Sequence, residues 1–445
     1  MARNWRQSIH LEPRNGWLND PNGLCFADGK YHVYFQYSPD SPNGAGRKCW
    51  GHFESSDEQK TWIYTGIVME PDIPEDRSGV YSGCAVVKDG IIHIFYTGNV
   101  KLPGDYDYIT AGREANQIHV TTKDGRIVSS KKVILRNSDY PECCSCHVRD
   151  PKVWIEDGKW KMVLGARTLE DKGCVLYYEA EDPESWHYVK TLSVDDFGYM
   201  WECPDQFDVD GKVFLGISPQ GLEHEEYCHQ NVYSSGYFKK NGNELSDFEE
   251  FDYGFDFYAP QTFIDEKGDR IIIGWMGIGD IPYSNPTTEL GWQHCLTLPR
   301  KLSIGPDGFI RQTPVINEEL FGDSEYVFEG VSKNVVLACD VSARFDSAYK
   351  ITVGDAVISY DGDVLMLDLG NGGSGYGRTV RKAKTGKIND LRIIADRSSL
   401  EIFAGGGRYV MSARFYPSDD EVKLVSEDGG FTVRPVREME VKGFE

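Results

Sequence analysis

The sequence predicts an all-β chain, with a five-bladed β-propeller followed by a C-terminal β-sandwich. Three observations carry that prediction. Five apolar strand-like runs recur along the first two-thirds of the chain, each behind a glycine-containing turn. Beyond Leu298-Pro299-Arg300 the pattern changes to a denser series of short strand signals. No long amphipathic helix pattern stands out in either part.

The five runs are residues 31–37 (YHVYFQY), 91–97 (IIHIFYT), 159–165 (KWKMVLG), 212–217 (KVFLGI) and 270–275 (RIIIGW). The turns before them hold Asp28-Gly29, Asp89-Gly90, Asp157-Gly158, Asp210-Gly211 and Lys267-Gly268-Asp269. Asp-Gly between apolar runs signals a hairpin, because glycine accepts the positive φ that such turns require. The runs start 60, 68, 53 and 58 residues apart. A unit of that length holds about four short strands, the content of one propeller blade. The near-continuous apolar character suits inner strands covered on both faces. An ordinary sandwich of several hairpins shares the short strands, but even turn spacing over this length favours the propeller.

Residues 1–304 are therefore expected to form the propeller and 305–320 a linker containing Pro306, Asp307, Gly308 and Pro314. Residues 321–445 are expected to form the sandwich. Strand signals there lie at 326–328, 335–341, 349–353, 364–369, 391–395, 400–403 and 409–415.

Composition narrows the function. The 445-residue chain carries 47 basic and 70 acidic residues, a formal net charge of −23. Such a surface repels phosphate backbones and anionic lipid, which argues against nucleic-acid and membrane partners. It leaves room for a small phosphorylated substrate in a local basic pocket. The N-terminus has no apolar signal-like stretch, so a cytoplasmic protein is expected. The 11 cysteines lack framework spacing and read as free thiols in a reducing compartment. Aromatics make up 13% of the chain, which suits sugar-binding surfaces and equally suits strand preference.

Three segments place a carboxylate in unusual surroundings. In Trp17-Leu18-Asn19-Asp20-Pro21-Asn22-Gly23, the following proline holds Asp20 extended. Locally this also reads as a plain surface turn. In His147-Val148-Arg149-Asp150-Pro151-Lys152 a carboxylate again precedes proline, beside a guanidinium, where a structural ion pair is the bland alternative. In Met200-Trp201-Glu202-Cys203-Pro204, apolar flanks would desolvate Glu202 and raise its pKa, as a general acid requires. A solvent-facing strand-edge Glu is the competing reading. In a propeller, three sites in three repeat units converge on the central channel. Glycosidic hydrolysis needs two carboxyl groups flanking the bond.

Taken together, these motifs resemble glycoside hydrolase family 32, the invertases, sucrose-6-phosphate hydrolases and fructanases, over nearly the whole chain. Residues 17–23 resemble the family's Trp-Met-Asn-Asp-Pro-Asn-Gly motif, Arg149-Asp150-Pro151 its Arg-Asp-Pro motif and Glu202-Cys203-Pro204 its Glu-Cys-Pro motif. Gln36-Tyr37, Trp50-Gly51-His52, Tyr81-Ser82-Gly83, Asp256-Phe257-Tyr258-Ala259, Gly274-Trp275 and residues 296–300 agree, and 396–403 resemble the signature of the family's sandwich. The resemblance implies a retaining β-fructofuranosidase acting on sucrose, sucrose 6-phosphate or short fructo-oligosaccharides. It implies Asp20 as nucleophile, Glu202 as acid/base and Asp150 as transition-state stabiliser. Asn19, Gln36, Trp50, Tyr81, Ser82, Arg149, Tyr258 and Trp275 would bind the sugar. No cofactor or metal is implied.

Departures surround the pocket: Leu18 for Met, Tyr81-Ser82-Gly83-Cys84 for Phe-Ser-Gly-Ser, Gln206 for Leu, and Arg47-Lys48-Cys49 before Trp50. The Cys143-Cys144-Ser145-Cys146-His147 run lacks the second cysteine pair of a zinc site and is expected to be a cysteine-rich loop beside the active site. A fructosyltransferase and a non-catalytic carbohydrate-binding propeller are the alternatives. Homo-oligomerisation through the sandwich is a further expectation.

Overall fold

The computed structural model describes residues 5–57, 59–321, 328–370 and 372–444. Nearly all regular structure is β, and the few helices are single 3₁₀ turns. Five sheets form the propeller. Blade I holds strands Gly16–Ala27, Lys30–Ser38, Cys49–Ser55 and Thr61–Met69. Blade II holds Val80–Lys88, Ile91–Lys101, Arg113–Thr122 and Lys132–Leu135, and blade III holds Cys144–Glu156, Lys159–Thr168, Gly173–Ala180 and His187–Leu192. Blade IV is built on Met200–Val209, Lys212–Gln220 and Gly236–Asn241, and blade V on Tyr258–Ile264, Arg270–Met276, Arg300–Ile304 and Ile310–Pro314.

The predicted hairpins form as their chemistry requires. Asp28, Asp89, Asp157 and Asp210 take φ of 48–52°, and the glycine after each takes 72–78°. Positive φ at both central residues matches the twist of a two-residue hairpin. In blade V the turn is longer, since Ile264 pairs with Arg270. The five apolar runs are the second strands of their blades, one step out from where the pattern suggested. The innermost strand is the one before each turn. Polar residues interrupt it because it faces the channel.

The segment expected to link the two parts is not free. Ile310–Pro314 pairs with Arg300–Ile304 and completes blade V. The last strand, Glu440–Lys442, leaves the sandwich region and pairs in parallel with Thr61–Met69 of blade I. Trp292–Gln293 pairs in parallel with the start of Gly16–Ala27, joining the end of the ring to its beginning.

The C-terminal part is two six-stranded sheets. One side of each strand faces a shared core that includes Tyr349, Ile351, Leu365, Leu367, Ile393 and Ile402. More strands form than the seven signals predicted. Val380–Lys384 and Glu421–Ser426 were missed because charged residues occupy their outer faces. The signal at 335–341 divides between Ser332–Val336 and Cys339–Arg344, which lie in different sheets. Of the strand expected at 326–328, only Phe328 lies among the described residues.

A buried ionic network joins the sandwich to the propeller. Arg300 donates to Glu401 Oε2 from Nε (2.9 Å) and Nη2 (2.6 Å), and to Asp252 Oδ2 from Nη1 (3.1 Å). His10 sits between Asp396 and Glu401, 2.8 Å from each. Arg378 pairs with Asp256 through two bonds of 2.7 and 2.8 Å. Burial by itself would lower the His10 pKa, but the two carboxylates outweigh it and hold the imidazolium up to about 9. A raised histidine stabilises the fold fully below its unfolded pKa, and that stabilisation is lost as pH rises through the folded value. Stability measured by urea midpoint is therefore expected to fall between about pH 6.5 and 9. His10→Gln should lack that part of the pH dependence, and should cost about 3–5 kcal/mol at pH 6 because the carboxylates lose a buried partner.

Candidate active site

Every blade carries the same irregularity at the same level of its innermost strand. Between Leu18 and Pro21 the ladder gives two residues, Asn19 and Asp20, opposite one, Gln36. Tyr81 and Ser82 likewise oppose Thr97, and Asp150 and Pro151 oppose Leu164. Cys203 and Pro204 oppose Ile217, and Ala259 and Pro260 oppose Gly274. A bulge of this kind breaks pairing and re-aims side chains. Proline is tolerated there because no ladder donor is required. Asp150, Cys203 and Ala259, each just before a proline, adopt φ of 62°, 46° and 48°. Such backbone is rare for residues with side chains and costs on the order of 1–3 kcal/mol each.

The bulges ring one pocket of about 440 Å³. Its lining brings together Asn19, Asp20, Gln36, Tyr81, Ser82, Arg149, Asp150, Glu202, Tyr258 and Trp275. Those are all the sequence-derived site residues except Trp50. That side chain is fully buried between blades I and II, where its indole N–H donates to the Tyr81 carbonyl (3.0 Å). Its strand alternation turns it into the core, so it supports a pocket residue and does not line the pocket.

Three carboxylates converge around Cys203. Its thiol lies 3.8 Å from Asp20 Oδ2 and 3.6 Å from Asp150 Oδ2, and its backbone N–H donates to Asp150 Oδ2 (3.0 Å). Burial and the surrounding anions push the thiol pKa well up, so it stays a donor. Asp20 Oδ2 also accepts from Ser82 Oγ (2.5 Å), whose neighbour Gln36 is anchored on the Val80 carbonyl (2.7 Å). Burial, with the charges of Asp150 and Glu202, raises the Asp20 carboxyl to about 7 against the opposing Ser82 bond. Burial raises Asp150 to about 6 against the pull of Arg149.

Glu202 meets a different environment from the apolar one its neighbours suggested. Trp201 turns away into a core cluster between blades III and IV. Glu202 Oε1 accepts from Arg149 Nη2 (2.6 Å) and Nε (3.0 Å). Oε2 accepts from Tyr258 OH (2.6 Å) and Gln220 Nε2 (2.8 Å). These donors fix the carboxylate's direction. Two buried polar atoms in the lining, Asn19 Oδ1 and Trp275 Nε1, have no hydrogen-bond partner among the described residues. They offer an acceptor and a donor to a polyol.

Lys48, Arg113, His147, Gln220, Tyr233 and Asp280 also line the pocket, although the sequence named none of them as a site residue. His147 was findable, since it lies two residues before Arg149 on the same strand face. Arg113, at the start of the third strand of blade II, had no local signal. Two groups of three potential metal ligands occur among the described residues, His32-His52-Glu54 and Glu225-Cys228-His229. Neither lines this pocket, Glu54 is already paired with Lys30 and Arg126, and the Cys143–Cys146 run belongs to neither. All 11 cysteines are free.

The chain is similar to known proteins over nearly its whole length. Residues 10–314 match the model of the glycosyl hydrolases family 32 N-terminal domain, and residues 365–442 match that of the family 32 C-terminal region. The chain is 37% identical over 439 residues to a sucrose-6-phosphate hydrolase of Bacillus subtilis, covering 93% of this chain and 89% of that protein. It is 36% identical over 447 residues to a raffinose invertase of Escherichia coli, covering 94% and 91%. Among solved structures, a sucrose-6-phosphate hydrolase from Lactobacillus gasseri superposes with a TM-score of 0.86 at 29% identity, covering 98% and 93%. A Bombyx mori GH32 beta-fructofuranosidase variant in complex with sucrose gives 0.85 at 28%, covering 99% and 95%.

The packing beneath the bulges makes a direct prediction. A Cβ on Gly165 would lie 2.1 Å from the Trp201 carbonyl oxygen, a backbone atom beside Glu202. Gly165→Ala is expected to destabilise the protein by about 1–3 kcal/mol. It should also lower turnover, measured by thermal unfolding alongside fructose release.

Proposed function

The chain belongs to glycoside hydrolase family 32 and is a glycosidase of the invertase type, and from that premise we propose that it cleaves terminal β-fructosyl bonds of sucrose-like substrates by double displacement. Asp20 attacks the anomeric carbon while Glu202 protonates the departing oxygen. Glu202 then takes a proton from water, which releases fructose from the Asp20 ester. Asp150 binds sugar hydroxyls and stabilises the oxocarbenium-like transition state. The observation that carries this reading is the convergence of three carboxylates from blades I, III and IV around Cys203.

The surroundings divide the roles. Arg149, Gln220 and Tyr258 hold Glu202 in one orientation, which suits a group that gives and takes one proton at a fixed place. Asp20 accepts from Ser82 Oγ and from the more distant Cys203 thiol, and keeps part of its surface open to the pocket. Asn19 and Trp275 contribute the free acceptor and donor described above, and Gln36, Tyr81, Ser82 and Arg149 complete the lining of the fructose subsite. Sucrose or its phosphate is the substrate class favoured by the named relatives, with short fructo-oligosaccharides as longer versions of the same terminal bond. Eleven free thiols suit a reducing, cytoplasmic location.

Asp20→Asn is expected to lower kcat at least ~10³-fold with unchanged thermal unfolding. Hydrolysis in dilute methanol tests the stereochemistry, since double displacement yields methyl β-fructofuranoside. Appearance of the α-anomer as the initial product would rule it out. The pH profile gives a second check. A nucleophile must be ionised, so kcat/KM is expected to fall as pH drops through about 7, the value to which Asp20 is raised. Removing the opposing hydrogen bond in Ser82→Ala should move that acid limb further up.

A further inference from the structure

The loop between the second and third strands of blade IV carries chemistry that the reaction above leaves unused. It spans residues 221–235, and a bridge between Gln220 and Tyr233 ties its ends together. Glu225, Cys228 and His229 stand on it, and one ligand atom of each lies within 4.8 Å of the other two. Among the described residues, Cys228 is the one thiol of the 11 that shares such a group with a histidine and a carboxylate. None of the three lines the active-site pocket.

Local structure gathers the trio. The Glu225 backbone N–H donates to the Cys228 carbonyl (3.1 Å), which closes a short turn. The His229 backbone N–H donates to Glu250 Oε2 (3.1 Å), and its Nδ1 stands 3.3 Å from Ser234 Oγ and 3.8 Å from Glu250 Oε1. Oxygens on one ring nitrogen fix the direction of the imidazole and leave the other nitrogen to an ion. Burial lowers the His229 pKa, so the ring is neutral and able to ligate. The Cys228 thiol donates to the Glu225 carboxylate, and burial together with that bond raises the thiol to about 12. A divalent cation would take the place of the shared proton. The thiol then releases H⁺ to solvent, and thiolate, carboxylate and neutral imidazole balance the two positive charges.

The surroundings favour a cation. Glu225 and His229 form part of the wall of a cavity of about 770 Å³, with Glu170, Asp171, Asp196 and Glu223 around them and Lys172 as its single lysine or arginine. Sulfur, nitrogen and one carboxylate oxygen suit zinc, whereas calcium and magnesium take oxygen ligands. Zinc bonds of about 2.0–2.3 Å hold tetrahedral ligand atoms roughly 3.3–3.8 Å apart, so a side-chain adjustment of about 1 Å closes the trio on an ion. Water fills the fourth position.

An ion there would join the two halves of the loop. The second half is already anchored on the sandwich strand Val380–Lys384. Gln230 pairs with the Lys382 backbone through Nε2 (2.6 Å) and Oε1 (3.0 Å), and Arg381 donates to Asn231 Oδ1 twice (2.7 and 2.9 Å). Tyr233 then reaches the rim of the active-site pocket, where it donates to Asp280 Oδ2 (2.7 Å). The first half, residues 222–228, is held by the short turn and by an exposed Glu226–Lys382 pair (3.2 Å).

We propose that Glu225, Cys228 and His229 bind one Zn²⁺, which staples residues 222–228 to the anchored half of the loop. The test uses the full-length protein stripped with EDTA and titrated with Zn²⁺ by calorimetry and with Co²⁺ by absorption. One Zn²⁺ per chain is expected, with a Kd of about 1 μM or tighter. Co²⁺ should show the near-ultraviolet charge-transfer band of a thiolate ligand, and Cys228→Ser should abolish it. Glu225 is exposed, so Glu225→Gln should fold normally and bind Zn²⁺ at least ~10-fold more weakly. Replacing Cys143, Cys144 and Cys146 together by serine should change neither titration. In the wild type, Zn²⁺ should slow amide exchange in residues 222–228. Absence of tight binding, a cobalt spectrum without the thiolate band, or unchanged affinity in both Cys228→Ser and Glu225→Gln would overturn the site. So would loss of binding with the 143–146 thiols. Tight binding with unchanged amide exchange would overturn the staple.

Discussion

The active-site geometry depends on a register fault repeated in every blade. At one level of the ring, two residues of the innermost strand oppose a single residue of the next. Regular pleating would send alternate side chains into the neighbouring blades, which are packed with apolar residues. The bulge interrupts that alternation, so consecutive polar residues reach the channel. Asn19 with Asp20, and Tyr81 with Ser82, are such pairs, while Glu202 and Tyr258 stand just before theirs. The strain at Asp150, Cys203 and Ala259 persists because the innermost strands of different blades hold one another through side-chain bonds to backbone. Gln261 Nε2 donates to the Gly83 carbonyl (2.8 Å), Gly83 N–H to Asn22 Oδ1 (3.0 Å), and Lys152 Nζ to the Thr262 carbonyl (2.6 Å).

The sandwich takes part in this from a distance. Asp256 lies two residues before Tyr258, whose hydroxyl holds Glu202. The Asp256 carboxylate is fixed by the Arg378 guanidinium and the Arg414 backbone N–H, both from the sandwich side. Arg300, at the start of the third strand of blade V, is fixed by Glu401 and by Ser412 Oγ. Buried ion pairs contribute little net stability when complete, but losing one partner is costly because the other charge stays buried. The two parts are therefore committed to one relative placement, and blade V is held at the position from which Tyr258 meets Glu202.

Electrostatics separate the two ends of the pocket. Around Asp20 and Asp150, burial and mutual repulsion push both carboxyls toward the neutral range, while Ser82 and Arg149 keep them in reach of ionisation. At the other end, the Arg113 and Arg149 guanidiniums crowd the neutral His147 imidazole. A protein that is acidic overall thus keeps a local cationic rim at this pocket.

Much of this was legible in the sequence. Asp-Gly turns fix hairpins locally, so the blade count followed from four of them, the glycine turn at Gly268 and the spacing of all five. The three carboxylate motifs each contain the proline that marks a bulge, which is why their residues could be named. The sequence also made Trp50 look like a pocket residue, because a motif does not state which way a strand faces. Glu202 looked desolvated because its chain neighbours are apolar, whereas its spatial neighbours are Arg149, Gln220 and Tyr258. Arg113 was invisible: nothing near it in the chain relates to the site, and only the curvature of the ring carries the third strand of blade II to the pocket rim. The sequence by itself determined the elements, the turns and the carboxylate trio, since these are set by local conformational preference. Only the tertiary structure decided which charges face one another, because that depends on how twisted sheets close into a ring.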